Sequence, residues 1–362
     1  MISISTLRRA LLPALAVAAL AAVAASSAAG AARAKKPGPL ASLIAQSKQE
    51  KGLVIYGNPP SANLQVLLDR FHYYYPWIEV THYDLDDNTV FSKYASEAAQ
   101  GVRTADILIA SAPNLWVYAA RQHFAADFTP LDMSHYPSWA KQYKGIYVMS
   151  PDPTIIVYNK ALLNGKTPTS ISDIANDPST YGKVTGYTVD NTFGYTGLYG
   201  YVQLKGWSAL QSIGTKLTPQ TGVAGQLTRV ANGSSVVAII TSPTARLTIK
   251  NNPAYTSIMD WSYIKDAESI VPRGIAVTAK GGSPASARLF LNFIYTVAGQ
   301  LAMCDAGFTA YRTDYTPSDG CTNTLADVYK NVGEKNTFFP GFTQKFVNAR
   351  PAFAKQWHSI FG

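Results

Sequence analysis

The sequence predicts an α/β protein built as two lobes, on three observations. Short apolar runs alternate with helical stretches, through turns rich in Gly, Pro, Ser and Asn, from residue 52 onward. That rhythm breaks near residue 145 and then starts again. The 362 residues are too many for one ordinary core and comfortable for two. Composition agrees: 47% hydrophobic and 15% charged is the balance of a folded body, not of a disordered chain.

The first stretch is expected to be processed rather than folded. Arg8 and Arg9 precede a run of Ala, Leu and Val without charge from Ala10 to Ala32. Small residues at 29–34 offer cleavage sites, so residues 1–34 read as a secretory signal peptide and the mature chain as exported to the periplasm. Pro13 and the Ala-rich character argue against an uncleaved anchor, and no Cys lies near the cleavage region to carry a lipid.

Residues 52–56 read as a buried strand ending at Gly57, Asn58, Pro59 and Pro60, with Ser61 placed to cap a helix over 62–75. Residues 77–83 alternate as a second strand, 89–100 read as a helix, and 105–110 as a third strand. Ser111 and Ala112 open another helix. Near residue 145 two strands, 146–149 and 154–158, flank Ser150, Pro151, Asp152 and Pro153 and carry the chain across a hinge. A second α/β unit follows, with strands at 183–189 and 236–240, a Gly/Tyr loop at 190–201, and helices near 203–213 and 223–232. Residues 270–279 read as a strand returning to the first lobe, 283–302 as one amphipathic helix, and 325–361 as helical. The expected division is 48–150 plus 266–362 for lobe 1 and 151–265 for lobe 2, with a ligand cleft between them.

Several function classes drop out. Without residues 1–34 the chain holds 28 basic against 22 acidic residues, spread without a run that would grip a phosphate backbone, so no nucleic-acid partner is expected. The mild excess suits an anionic ligand. Cys304 and Cys321, an even close pair in an exported chain, read as a disulfide contributing about 3 kcal/mol. No metal-ligand spacing, nucleophile elbow or phosphate loop occurs, so neither a metal, a cofactor nor a catalytic set is expected.

An ordered set of segments carries a family resemblance: GLVIYG at 52–57, FHYYYP at 71–76, TADIL at 104–108, IVYNK at 156–160, GKV at 182–184, and SPASARLFLNF leading into Gly299 and Gln300. In these the chain resembles periplasmic solute-binding proteins of ATP-driven importers, the subgroup of ferric-iron, sugar-phosphate and phosphonate binders. The resemblance implies a two-lobed type II binding-protein fold, a small-molecule ligand, a membrane permease as partner and a monomeric state. It also exposes a departure. Ferric-iron binders of this group carry two adjacent tyrosines after the strand that is 236–240 here, where this chain has Thr241, Ser242, Pro243 and Thr244. Hydroxyls of Ser and Thr do not replace phenolates for Fe(III). The run Tyr73, Tyr74 and Tyr75 lies at a helix end and reads as packing and surface aromatics.

Ligands of parallel α/β sheets sit outside the carboxyl ends of strands. Four loops there give the expected site: Tyr56, Gly57 and Asn58 with Ser61; Ser111 and Ala112; Asp190 with Thr192 and Thr196; and Thr241 with Ser242. Gly admits close backbone approach, hydroxyls donate, and the following helices offer free N–H groups. Arg246 is added as a bidentate partner for an anion. Asp84, Asp86 and Asp87 read as a solvated turn. The function expected is capture of a small anionic organic solute for an importer. Ferric-iron binding and sensing without transport are the alternatives.

Overall fold

The computed structural model describes residues 38–180, 183–315 and 321–362; the expected signal peptide lies outside them. The chain opens with α1 (Ala41–Ser47), β1 (Leu53–Gly57), α2 (Ser61–Tyr74), β2 (Val80–Asp84), α3 (Asp87–Gln100), β3 (Ile107–Ala110) and α4 (Pro113–Arg121). Then β4 (Lys141–Tyr143) and β5 (Ile146–Pro153) lead into β6 (Ile155–Asn159). The second unit runs α5 (Ile171–Asn176), β7 (Val184–Tyr187), α6 (Thr192–Lys205), α7 (Ser208–Ile213), β8 (Leu217–Gln220), α8 (Val223–Ala231), β9 (Val237–Thr241), α9 (Ala245–Asn251), α10 (Pro253–Ile258) and β10 (Met259–Tyr263). The chain then returns through β11 (Glu268–Val277) to α11 (Pro284–Ile294), α12 (Val297–Asp305), α13 (Leu325–Val332), β12 (Thr337–Phe338) and α14 (Gln344–Phe361).

Two sheets result. The first has strand order β2-β1-β3-β11-β5-β4, with β12 beside β11; the second has order β10-β6-β9-β7-β8. β1, β2 and β3 are mutually parallel, as are β7, β8 and β9, so each lobe is laid out as a β-α-β unit. β5 and β11 pair antiparallel in the first sheet, and each continues within a few residues into β6 or from β10 in the second. These two connections are the crossovers between lobes.

The crossover segment was expected to break at Ser150, Pro151, Asp152 and Pro153; instead β5 runs straight through it. Pro151 lies opposite Pro272, so neither ring removes a donor that its partner needs. Next to them Arg273 pairs with Asp152 at 3.0 Å, the two side chains 3% and 0% exposed, at a register shift in the ladder. A charged pair replaces ladder regularity at the point where the chain leaves the sheet.

The expected Gly/Tyr loop at 190–201 is a helix, α6. Asn191 caps it by accepting from the Gly194 N–H at 3.0 Å. Glycines at 194, 197 and 200 lower helix propensity, but each sits where a Cβ would collide: with the Thr188 carbonyl, with Ile240, and with Ser269. The spacing of three puts them on one side of the helix, which lets α6 lie directly on the crossover strands. Tertiary packing overrides local preference here. The single helix expected over 283–302 is two, bent by 76°, because the Thr296 hydroxyl caps a new start at Gly299.

The larger core centres on the first sheet, with Ile55, Leu67, Phe71, Trp116, Phe290 and Phe308, and runs on to Val157, Ala238 and Met259 of the second; a separate core on the second sheet holds Tyr195, Leu198, Ile239 and Ile240. The C-terminal helix departs from the expected division. Phe346, Phe353 and Trp357 of α14 pack into the second core beside Tyr195, although residues 266–362 read as lobe 1. Its apolar face matches the Tyr-rich wall that α6 presents. Cys304 and Cys321 are joined, tying α12 to the segment before α13.

A buried carboxyl sits at the crossover. Glu268, the first residue of β11, accepts from the Thr154 hydroxyl at 2.7 Å and the Ile264 N–H at 3.0 Å. Burial pushes its pKa from 4.5 to about 8, against the hydrogen bonds from Thr154 and Ile264. The native state therefore keeps this proton across a window in which the unfolded chain loses it, and stability falls as pH rises through that window. In urea unfolding, Glu268→Gln is expected to flatten the loss of midpoint between about pH 5 and pH 8 and to exceed the parent at the upper end. Parallel pH profiles for the two proteins would contradict this.

Candidate functional site

A cavity of about 410 Å³ opens between the strand ends of the two sheets. From the first lobe Asn58 follows β1, Asp84–Asp87 follow β2, Ser111 follows β3, and Arg273 rises from β11. From the second, Tyr187 ends β7, Thr221–Ala224 follow β8, and Ser242 and Thr244 follow β9. A volume in this range holds a small organic solute.

The first-lobe wall is a chain of hydrogen bonds. Arg273 donates to the Asn58 Oδ1 at 2.7 Å, and Asn58 Nδ2 donates to Asp87 Oδ1 at 2.5 Å. Burial pushes the Asp87 carboxyl up to about 6, with Arg273 pulling in the opposite direction. Burial likewise raises Asp152, again opposed by Arg273.

The helix starts around the cavity differ in one respect. Asp84 accepts from the Ser61 N–H and hydroxyl at the start of α2, at 3.3 and 3.4 Å. Asp86 caps α3 by accepting from the N–H groups of Asn88 and Thr89, and the Thr89 hydroxyl holds its pKa low. Asn191 caps α6. Thus three helix starts are already answered by the protein's own oxygens. The starts of α4, after Ala112, and α8, after Gly222, have no side-chain cap. They belong to opposite lobes; at α8 the Val223 N–H is directed to the Tyr187 hydroxyl, which leaves the Ala224 N–H to face an added anion.

Beside the start of α4 lies Ser111, 2% exposed, whose Oγ has no partner. A buried hydroxyl left unpaired costs about 1–3 kcal/mol unless something binds to it. Across the cavity Ile240 holds φ at 54°, a conformation that β-branched residues avoid, immediately before Thr241 and Ser242. The strain turns the end of β9 toward the cavity. Ser242 shares a hydrogen bond with the Thr244 hydroxyl at 2.9 Å.

Of the residues expected from sequence, Asn58, Ser111 and Ser242 line this cavity. The others do not. Tyr56 lies inside β1, buried, donating to Glu97 at 2.8 Å. Gly57 serves close packing, since a Cβ would meet Pro59 and the Ile109 carbonyl at 3.0 and 3.2 Å. Ser61 is exposed and spent on Asp84. Ala112 is buried behind Ser111. Asp190 is exposed and pairs with His358 of α14 at 3.2 Å. Thr192 and Thr196 are buried in α6, with the Thr196 hydroxyl returned to the Thr192 carbonyl at 2.7 Å. Thr241 is buried behind Ser242, its Oγ1 unpartnered. Arg246 turns away, donating to Asn323 at 2.9 Å and stacking 4.2 Å over Trp261. These residues read as site members because strand ends alternate in direction, and sequence position alone does not say which side faces the cleft.

Residues the sequence reading passed over are Arg273 and the three aspartates. Arg273 carried a usable signal: a lone charge within the apolar run 270–277, which only a buried partner or a ligand explains. Asp84 and Asp86 are exposed, as a solvated turn requires, whereas Asp87 is 8% exposed, and all three line the cavity.

The sequence profile of the bacterial extracellular solute-binding proteins matches residues 69–326. The chain belongs to that family. A search of the curated proteins finds no significant match. Among solved structures, the chain resembles the substrate-binding protein of an ABC transporter from Agrobacterium tumefaciens, at TM-score 0.73 and 18% identity over 85% of this chain and 95% of that one. It also resembles the periplasmic binding protein AfuA from Actinobacillus pleuropneumoniae, solved with fructose-6-phosphate, at TM-score 0.66 and 15% identity over 86% and 98%. Iron-bound HitA from Pseudomonas aeruginosa follows at TM-score 0.63 and 17% identity over 83% and 98%. At these identities the likeness establishes the two-lobed fold that the sequence predicted.

Tyr187 is the one tyrosine among the residues lining this cavity, and burial raises that phenol's pKa. Among the described residues no group of three or more His, Cys, Asp or Glu side chains is placed to hold a metal ion.

Two outcomes follow from this geometry. Ser111→Ala is expected to weaken binding of an anionic solute by about tenfold to a hundredfold, since a hydrogen bond to a charged group contributes roughly 1.5–3 kcal/mol. Calorimetric titration reads it, and unchanged affinity would contradict it. Asp87 gains negative charge as pH rises through about 6. For an anion of constant charge, affinity should fall by up to about tenfold between about pH 5 and pH 7.5, and Asp87→Asn should remove that slope.

Proposed function

We propose that this chain is an exported solute-binding protein that captures a small organic solute through an anionic group and delivers it to an ABC-type importer. The observation that carries the reading is the unpartnered Ser111 hydroxyl in the cleft, 2% exposed, at the uncapped start of α4. Arg273 and Ser242 stand around the same space, and the uncapped start of α8 lies on the opposite wall. A solute anion bridging the starts of α4 and α8 would touch both lobes together. Only contacts of that kind favour closure, because a ligand shifts an equilibrium by its difference in affinity for the two states.

In this reading residues 1–34 are removed on export to the periplasm and the mature protein works as a monomer without chemistry of its own. Lobe 1 comprises 48–150 and the segment from 266, and lobe 2 comprises 151–265, with α14 docked on the second core. Support for a binding rather than catalytic role is that Asn58, Asp87, Asp152 and Arg273 are tied to one another. Asp152 also accepts from the Ser150 hydroxyl, but that serine is fully buried and its oxygen accepts from the Thr309 N–H, which keeps it from a solute in the cleft. Relatives of the same fold are described as an ABC transporter substrate-binding protein and as a binder of fructose-6-phosphate.

A thermal-shift screen of the mature protein against sugar phosphates, phosphonates, carboxylates, polyamines and Fe(III) tests the proposal. An organic anion is expected to raise the midpoint saturably, a ligand at 100 times its Kd adding about 2.7 kcal/mol. A response to Fe(III) or to polyamines alone would overturn it.

A further inference from the structure

We infer that Arg246 forms a second, smaller anion site outside the cleft, which takes a free inorganic oxyanion of the size of sulfate or phosphate. Arg246 is 6% exposed and its Nη1 donates to Asn323 Oδ1 at 2.9 Å. Its Nε and Nη2 are buried and have no hydrogen-bond partner at ordinary length, although the Tyr263 hydroxyl interacts with the guanidinium. Those two nitrogens form one edge of the guanidinium, the fork that meets two oxygens of a carboxylate, sulfate or phosphate side by side. The plane of the fork is fixed by Trp261, 4.2 Å from Cζ, and Tyr263, 5.4 Å away. A buried cation with two idle donors is costly, and an anion from solvent removes that cost.

Arg246 lines a pocket of about 130 Å³ together with Lys250, Asp305, Gly307, Thr322 and Asn323. Pocket size separates this site from the cleft. Its volume is a few times the roughly 30 Å³ share of a water molecule, and well below the 300–1,000 Å³ typical of organic solutes. None of its lining residues lines the cleft. Lys250 adds a second positive charge at the exposed rim and Thr322 a hydroxyl. The disulfide holds the frame: Asn323 donates its N–H to Cys304 Sγ at 3.2 Å and its side-chain amide to the Cys304 carbonyl at 3.3 Å. An oxyanion there joins α9, on the second sheet, to the disulfide-closed segment that follows α12.

Thermal unfolding of the full mature protein, titrated with sodium sulfate in the low millimolar range against sodium chloride at matched ionic strength, tests this. Sulfate is expected to raise the midpoint saturably. Lys250→Gln should raise the half-saturating concentration several-fold. Arg246→Gln should leave only the linear rise that sulfate produces through exclusion from any protein surface, while Ser111→Ala should keep the saturable response. Equal stabilisation by chloride, a saturable response in Arg246→Gln, or its loss in Ser111→Ala, which would place the sulfate in the cleft, overturns the inference. If Arg246→Gln does not fold, Lys250→Gln decides: an unchanged half-saturating concentration overturns it.

Discussion

The buried pair of Arg273 and Asp152 is the constraint on which the rest of the architecture turns. It sits where the long strands β5 and β11 meet at a register shift, close to where both leave the first sheet for the second lobe. Losing either partner would strand the other charge in the interior, at a cost of about 3–5 kcal/mol. Because Asp152 consumes one edge of the guanidinium, Arg273 is held upright and its Nη1 reaches Asn58. Asn58 in turn holds Asp87 at the start of α3. One ion pair thereby links the crossover to the cavity wall, so the part of the molecule that must flex and the part that must recognise share a common anchor.

Recognition then depends on which helix starts the protein leaves open. Carboxylates at Asp84 and Asp86 and the amide of Asn191 close three of them. Ala112 and Gly222 cannot close theirs, since neither carries a polar side chain. For the proposed anion, Asp84 and Asp86 would also place negative charge on the first-lobe wall and disfavour a position beside them. Selectivity in this arrangement comes as much from repulsion as from donors. The strained Ile240 and the close approach of α6 through Gly197, which faces Ile240 and Thr154, keep the second wall in register with the first.

Much of this was legible in the sequence. Periodicity and turn chemistry marked β1, α2, α3, β3, α8 and β9 to within a few residues, because those elements follow local rules. The misread elements are of two kinds: α6 depends on long-range packing, while the breaks at Thr296 and between Val332 and Gln344, inside the helix expected over 325–361, are local. Helix α6 looks like a loop until the strands it must touch are in place, and Thr296 breaks a helix that hydrophobic periodicity alone would continue. At the site, Ser111 and Ser242 could be found from strand ends followed by helices. Arg246 could not be excluded, since an Arg at the second position of a helix faces the cleft or the core depending on a rotation that Trp261 and Asn323 determine. Arg273 stood out as a lone charge in an apolar run, but its role and that of Asp87 were hidden because their partners, Asp152 and Asn58, lie far away in the chain.

The central claim is that one anion is held between the open starts of α4 and α8. Amide chemical shifts of the 15N-labelled mature protein test it most directly, recorded as the most stabilising organic anion is added. The account predicts that the N–H groups of Ser111 and Asn114 in one lobe and of Ala224 in the other move downfield together, with a single midpoint. Shifts confined to one lobe, or shifts at both starts with separate midpoints, would contradict it.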